Sequence, residues 1–370
     1  MQARSLYLHF PFCETKCHYC DFYSIAAHRA SAKDPLDFRT ALKKEAELSQ
    51  DLIAPQIETI FMGGGTPSMT PPEHMAEALE PLLTQKPLAK NYEWTMEANP
   101  SSITLSKLEK YKALGVNRIS MGVQSLDDGL LKKLGRVHLC ADVFRALDEI
   151  FESGISNVST DLLCGVPGQT LQDLESALER LFQYPLTHLS CYLLTLAPHH
   201  PMAKDLPDEN TQLEHLLFID RWMTAHGFEH YEISNYCRDG LRAQHNMIYW
   251  QGGSYLGLGP SAHSFDTSSK RRWKNLSSLH RYVQELQKGT RPVEWEETLT
   301  DQQSGLERWM LALRLSEGFS KDWLITPLQQ TRARELLEKG LMELHPVTTS
   351  NLRLTPRGFA LSDQIVLQLG

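Results

Sequence analysis

Long apolar runs are missing from this 370-residue chain. The longest, residues 191–197, is far short of the ~20 residues that a membrane-spanning helix needs. The opening MQARSLYLHF lacks the apolar core of roughly 7–15 residues that marks a secretory signal, so the expected location is cytoplasmic. Excess basic charge is absent too: 37 Lys and Arg stand against 45 Asp and Glu, a net charge of −8. Nucleic-acid binding rests on neutralising phosphates, and no nucleic-acid partner is expected of a chain this acidic. Cysteine is sparse and odd in number, seven in all, with three of them inside residues 13–20. That is not the pattern of a disulfide framework, and it points to a reduced compartment. Low-complexity tracts are lacking, as are internal repeats beyond an alternation of strands and helices. What remains, 41% hydrophobic and 22% charged, is ordinary globular composition, long enough for about two domains.

Short β-type runs at 6–10, 59–63, 94–98, 119–123, 158–163 and 189–195 alternate with amphipathic patterns at 38–48, 106–114, 141–152 and 171–182. Strand followed by helix, repeated about six times, implies an α/β fold with a parallel sheet and helices packed outside it. A partial (β/α) barrel of about six parallel strands fits best, because the polar and Gly-rich motifs follow strands, where such barrels build their chemistry. An open doubly wound sheet shares the same pattern. The character changes near residue 265, which divides a core at 1–265 from a C-terminal domain at 266–370. In the latter, SSKRRWKN (268–275) reads as a loop or hairpin, 305–315 and 331–340 as helices, 341–354 as a hairpin and 359–369 as a last helix. Helices plus a hairpin suggest a small winged-helix-like module. Residues 301–370 carry eight basic and eight acidic side chains, so a DNA-reading wing would lack its electrostatic footprint; a lid or interaction domain is the expectation.

Cys13, Cys17 and Cys20 form C-x3-C-x2-C directly after the first strand, a spacing at which thiolates from one loop can converge on an inorganic centre. Zinc would want a fourth ligand, with His9 or His18 available. A [4Fe–4S] cluster normally takes four thiolates, and three would leave one iron open to another ligand. The other cysteines, Cys140, Cys164 and Cys191, read as small buried hydrophobes.

With Tyr19 before the last cysteine, this motif resembles the radical S-adenosylmethionine (SAM) superfamily, in which the open iron is chelated by the amino and carboxylate groups of SAM. GGGTPS (63–68), EANP (97–100), SMGVQS (120–125), LGRVH (134–138) and DLLCGVPGQT (161–170) follow in the family's order. The GGGTP turn has neither P-loop nor G-x-G-x-x-G spacing. The resemblance implies that Cys13, Cys17 and Cys20 hold the cluster and that nine positions contact SAM. Gly64, Gly65 and Thr66 would let the backbone approach the methionine part. Glu97 would meet the ammonium group and Arg136 the carboxylate. Gln124 and Asp161 suit the ribose, and Tyr7 and Tyr19 would pack against the bound cofactor.

Within that superfamily the whole chain resembles the oxygen-independent coproporphyrinogen III oxidase group. Two departures stand out: Phe22 occupies the position of a further cysteine of the oxidases, and only six residues precede Tyr7. Both match the sister branch of haem chaperones, as does HNMIYW (245–250). His245 and Tyr249, spaced i, i+4, would share one face of a helical turn, imidazole is a common haem-iron ligand, and Asn246 and Trp250 complete the motif. Cys237, Tyr236 and His263 are rival candidates for the iron. GLGPSAHS (257–264) reads either as a turn closing over cofactors or as a buried bend. The resemblance thus implies a haem chaperone that carries a [4Fe–4S] cluster with exchangeable SAM, takes haem as cargo and passes it to apo-haemoproteins. A homodimer and transient contact with membrane haemoproteins are compatible with this reading. The alternative is an oxidase that uses a SAM-derived radical for oxidative decarboxylation.

Overall fold

Alternation of apolar side chains starts the first strand, Ser5–Phe10 (β1), in which Leu6, Leu8 and Phe10 are buried. Ile57–Gly64 (β2), Leu88–Ala98 (β3), Arg118–Gln124 (β4) and Asn157–Cys164 (β5) follow; β2, β4 and β5 are buried along most of their length and β3 in its C-terminal part. Between them run the helices Asp34–Leu48 (α1), Pro72–Gln85 (α2), Leu105–Leu114 (α3), Asp128–Leu134 (α4) and Cys140–Glu152 (α5). The five strands pair in parallel in chain order, and Tyr255–Leu258 lies parallel on the other side of β1. This is the strand–helix framework of a partial (β/α) barrel, and it leaves the strands' C-terminal ends to carry the polar motifs. The sixth parallel strand of this set comes from far along the chain. The run read at 189–195 forms as His188–Leu193, antiparallel to Asn235–Cys237.

The computed structural model describes every residue, Met1–Gly370. One compact unit comprises Met1–Leu162, Glu179–Leu186 and Gly253–Thr298; the other comprises Leu163–Leu178, Thr187–Gly252 and Leu299–Gly370. Both units draw on segments from either side of residue 265. His263–Asp266 pairs with Arg271–Asn275, which pairs with Val293–Thr298, so residues up to 298 extend the first unit's sheet. Of the two readings of the basic stretch 268–275, the hairpin forms: 268–270 turn and Arg271–Asn275 pairs back on His263–Asp266, with Arg271 meeting Glu296 and Arg272 meeting Glu297 of the next strand.

GLGPSAHS is a buried bend. The Gly259 N–H donates to the Glu45 carboxyl (2.7 Å), as do the Asn275 amide (2.5 Å) and the Tyr282 hydroxyl (2.6 Å). Burial pushes Glu45 up to about 7 against these three donors. The network ties α1 to the returning segment.

In the second unit, Asp301–Arg314, Pro327–Glu338 and Ser362–Leu369 pack around Trp309, Leu313, Phe319, Leu336, Leu352 and Ile365. A small antiparallel sheet joins Phe319–Ser320, Asn351–Leu354 and Met342–Leu344, giving the helices-plus-hairpin module expected from the sequence. No helix is long and apolar enough to cross a membrane.

Candidate functional site

The cysteine loop is closed at its base. Phe12–Cys13 pairs with Ile25–Ala26, and the Ile25 N–H donates to the Pro11 carbonyl. Its tip is docked on the C-terminal end of α4: the His18 backbone N–H donates to the Leu134 carbonyl (3.1 Å), and its ring Nδ1 lies 3.0 Å from the Lys133 carbonyl. Helix-end carbonyls lack partners within the helix, so α4 is a natural anchor for this loop. Cys13, Cys17 and Cys20 are free and half-buried. Burial pushes the Cys13 and Cys20 thiols up. The Thr66 hydroxyl donates to Cys13 Sγ (3.6 Å), and Arg136 Nη1 to Cys17 Sγ (3.5 Å). Three thiols on one loop are the soft donors that an iron–sulfur centre takes.

The glycine loop after β2 is moulded to the end of β1. Gly64 has φ of +100°, and a Cβ there would fall 2.4 Å from the His9 ring; a Cβ on Gly65 would fall 2.6 Å from the Phe10 and Phe12 carbonyls. The Gly65 and Thr66 N–H groups donate to those two carbonyls (2.7 Å each). Beyond any approach to a ligand, these glycines let the loop lie against the cysteine-bearing segment. Tyr7 stacks on Phe61, and its hydroxyl meets His9 Nδ1 at 3.0 Å.

Glu97, near the end of β3, accepts from the Gly64 N–H (3.2 Å). Burial, and then the negative charge of Asp161, push its carboxyl up to about 8. Asp161 accepts from the Ser120 hydroxyl. Arg136 spans the site: besides Cys17 it donates through Nη2 to the Gly122 carbonyl (2.7 Å), and it hydrogen-bonds Tyr19. Its Nε is buried with no partner. Gln124 is held at φ of +68° where the β4–β5 register slips between Gly122 and Gln124, a backbone state that costs a non-glycine residue ~1–3 kcal/mol. Cys13, Cys17, Cys20, Tyr7, Tyr19, Gly64, Gly65, Thr66, Glu97, Gln124, Arg136 and Asp161 all lie in the first unit. A carboxyl held protonated for want of a cation fits an ammonium, and an orphaned guanidinium N–H fits a carboxylate. The residues present therefore suit an amino-acid headgroup beside a thiolate-bound centre.

That carboxyl gives a pH test. Between its ordinary 4.5 and about 8, Glu97 keeps a proton when folded that the unfolded chain has released. Its contribution to stability therefore falls as pH rises through this window. Glu97→Gln cannot ionise, so the ligand-free variant should lose less melting temperature than the parent between about pH 5 and about pH 8. Equal losses in thermal scans would place the proton elsewhere.

The HNMIYW motif lies in the second unit, on the short helix Gln244–Trp250. The i, i+4 geometry is realised as a contact: His245 Nε2 lies 2.7 Å from the Tyr249 hydroxyl, with the rings edge-on. His245 is fully buried, and burial pulls it down to about 3. Asn246 is half-buried. Trp250 lies under the Arg314 guanidinium (3.9 Å) and packs against Tyr231, Cys237, Met247 and Leu315. Of the rival iron ligands, Cys237 is buried, with its thiol pushed up to about 12 by burial and by Glu229. Tyr236 is buried and stacked on His230 at 4.2 Å. His263 belongs to the first unit and faces Trp295.

Three motif residues without a role assigned from sequence, Ser68, Asn99 and His138, share a chain of polar contacts, and their presence inside the motifs is the available signal. His9, offered as a fourth zinc ligand, lies under Gly64.

Comparison with known proteins agrees with this geometry. Residues 7–181 match the model of the radical SAM superfamily, and a radical SAM domain implies a [4Fe–4S] cluster and SAM. Heme chaperone HemW of Bacillus subtilis is 33% identical over 98% of this chain and 98% of its own length. Heme chaperone HemW of Escherichia coli is 37% identical over 70% of this chain and 69% of its own. Among solved structures, coproporphyrinogen III oxidase (HemN) from Escherichia coli superposes with a TM-score of 0.83 over 99% of this chain and 89% of that one, at 21% identity. That likeness establishes the fold. The full-length matches carry the family: this chain belongs to the heme chaperone HemW family of radical SAM proteins.

Proposed function

We propose that this protein binds haem and hands it to apo-haemoproteins, membrane haemoproteins among the acceptors, either alone or as a homodimer. The observation that carries the reading is the full-length match to curated heme chaperones, supported by the ordered HNMIYW helix. When bound, the cluster supplies an open iron that chelates the amino-acid end of SAM. Cys13, Cys17 and Cys20 hold it. Glu97 takes the ammonium, and Arg136 takes the carboxylate while steadying Cys17. Gln124 and Asp161 face the ribose, Gly64, Gly65 and Thr66 form the cradle, and Tyr7 and Tyr19 flank it. Haem is held at HNMIYW by His245, Asn246, Tyr249 and Trp250. Ligation by His245 requires the Tyr249 hydroxyl to release Nε2, so the buried imidazole is a guarded ligand.

Transfer tests the proposal. Protein loaded anaerobically with one equivalent of haem is mixed with apomyoglobin, and the Soret band is followed. The expected result is conversion to the holo-acceptor spectrum at a rate set by acceptor concentration. Haem that leaves at the same rate whatever the acceptor, as free haem would, contradicts delivery.

A further inference from the structure

The end of β4 is held in an unusual shape. The Ser125 N–H donates back to the Val123 carbonyl (2.9 Å), which closes a three-residue turn centred on Gln124 at φ of +68°. Turns of this kind with a positive central φ are rare and strained, and they persist where the surroundings over-determine them. Two side chains of LGRVH supply that constraint. Arg136 Nη2 donates to the Gly122 carbonyl, and His138 Nε2 lies 3.1 Å from the Val123 carbonyl. A carbonyl only accepts, so this contact is a hydrogen bond in the tautomer that carries the ring proton on Nε2.

His138 is itself fixed. It is 1% exposed, and its Nδ1 lies 3.1 Å from Oδ1 of Asn99, the asparagine of EANP, an oxygen that accepts from the Ser101 N–H, so the neutral ring donates to one of two flanking oxygens. The Asn99 N–H in turn donates to the Ser68 hydroxyl of GGGTPS (3.2 Å). One chain of polar contacts thus runs from the glycine loop through the end of β3 to the bent end of β4. Burial, then the Arg136 charge, keep the ring neutral near pH 7, as a single-proton strut requires.

We propose that His138 is a positioning residue: by gripping the Val123 carbonyl it holds the strained turn that presents Gln124 to the nucleoside part of SAM. This deepens the SAM assignment above and rests on it. His138 touches the backbone behind Gln124, so its effect on SAM passes through Gln124.

The test uses cluster-reconstituted, full-length protein. SAM affinity is measured by equilibrium binding for the parent, His138→Ala, His138→Gln, Gln124→Ala and the His138→Ala/Gln124→Ala double variant. Amide exchange at Ser125 is followed without SAM. His138→Ala is expected to weaken SAM about tenfold, the factor for one buried hydrogen bond, with iron content unchanged and Ser125 exchanging faster. His138→Gln, which keeps an N–H near Nε2, should recover most of the affinity. In the Gln124→Ala background, His138→Ala should add nothing. Unchanged affinity and exchange would overturn the proposal, as would a second full tenfold loss in the double variant. Should His138→Ala not fold, His138→Asn, too short to reach Val123, takes its place. A parent that binds no SAM would remove the ligand assignment, and Ser125 exchange would then decide the clamp by itself.

Discussion

Cys17→Ser is expected to fold and yet retain at most roughly a tenth of the parent's iron after reconstitution, because [4Fe–4S] clusters are held by thiolates. Cys17 lies at the docked tip of its loop, where the Cys20 N–H donates to its carbonyl and Arg136 Nη1 to its sulfur. No other cysteine can take its place. Cys164, Cys191 and Cys237 are buried, and Cys140 starts α5. The loop's fold rests instead on the Phe12–Cys13 pairing and on His18 at the end of α4, which serine leaves alone. Loss of iron–sulfur absorbance with a parent-like far-ultraviolet spectrum is therefore the expected pair of readings. Full absorbance in the variant would remove Cys17 from the ligand set.

Much of the first unit is legible in the sequence because its strands are buried on both faces and its motifs sit at their ends. β1 announces itself through Leu6, Leu8 and Phe10, and the cysteine loop follows at once. Other elements are hidden for identifiable reasons. Prolines at 71, 72 and 81 mask α2, although the first of these only leads into the helix and the second stands at its start, where a missing N–H costs nothing. Tyr255–Leu258 is four residues with a glycine inside, too short for a period to show, and its partner β1 is some 250 residues away. The basic run at 268–275 reads equally as a loop or a hairpin until Arg271–Asn275 is seen paired with His263–Asp266 and with Val293–Thr298. Such long-range pairing is what local spacing cannot supply, and it is why residues up to 298 extend the first unit's sheet.

The cysteines and the residues expected to contact SAM all lie in one unit and those of HNMIYW in the other, and the reasons for the residue types differ in part from those read in the motifs. Gly64 gives room to His9, a neighbour in space that only the fold reveals. Arg136 serves a thiol and a strand carbonyl as well as any ligand. The i, i+4 spacing of His245 and Tyr249 is realised as a direct hydrogen bond. The burial of that pair is a tertiary property that spacing alone could not disclose.

The haem assignment is the central claim, and its largest consequence falls on His245. Removing the imidazole deletes the proposed iron ligand and, with it, the contact to the Tyr249 hydroxyl. Haem should then bind at least about tenfold more weakly and with a shifted Soret band, since axial-ligand identity tunes the iron's electronic state. The most direct measurement is an anaerobic haem titration of the reconstituted parent and its His245→Ala variant, followed by absorbance. Stoichiometric binding by the parent, with weaker binding and an altered spectrum in the variant, is the expected result. Absence of specific binding by the parent would contradict the account, and identical titrations in both would move the iron away from HNMIYW.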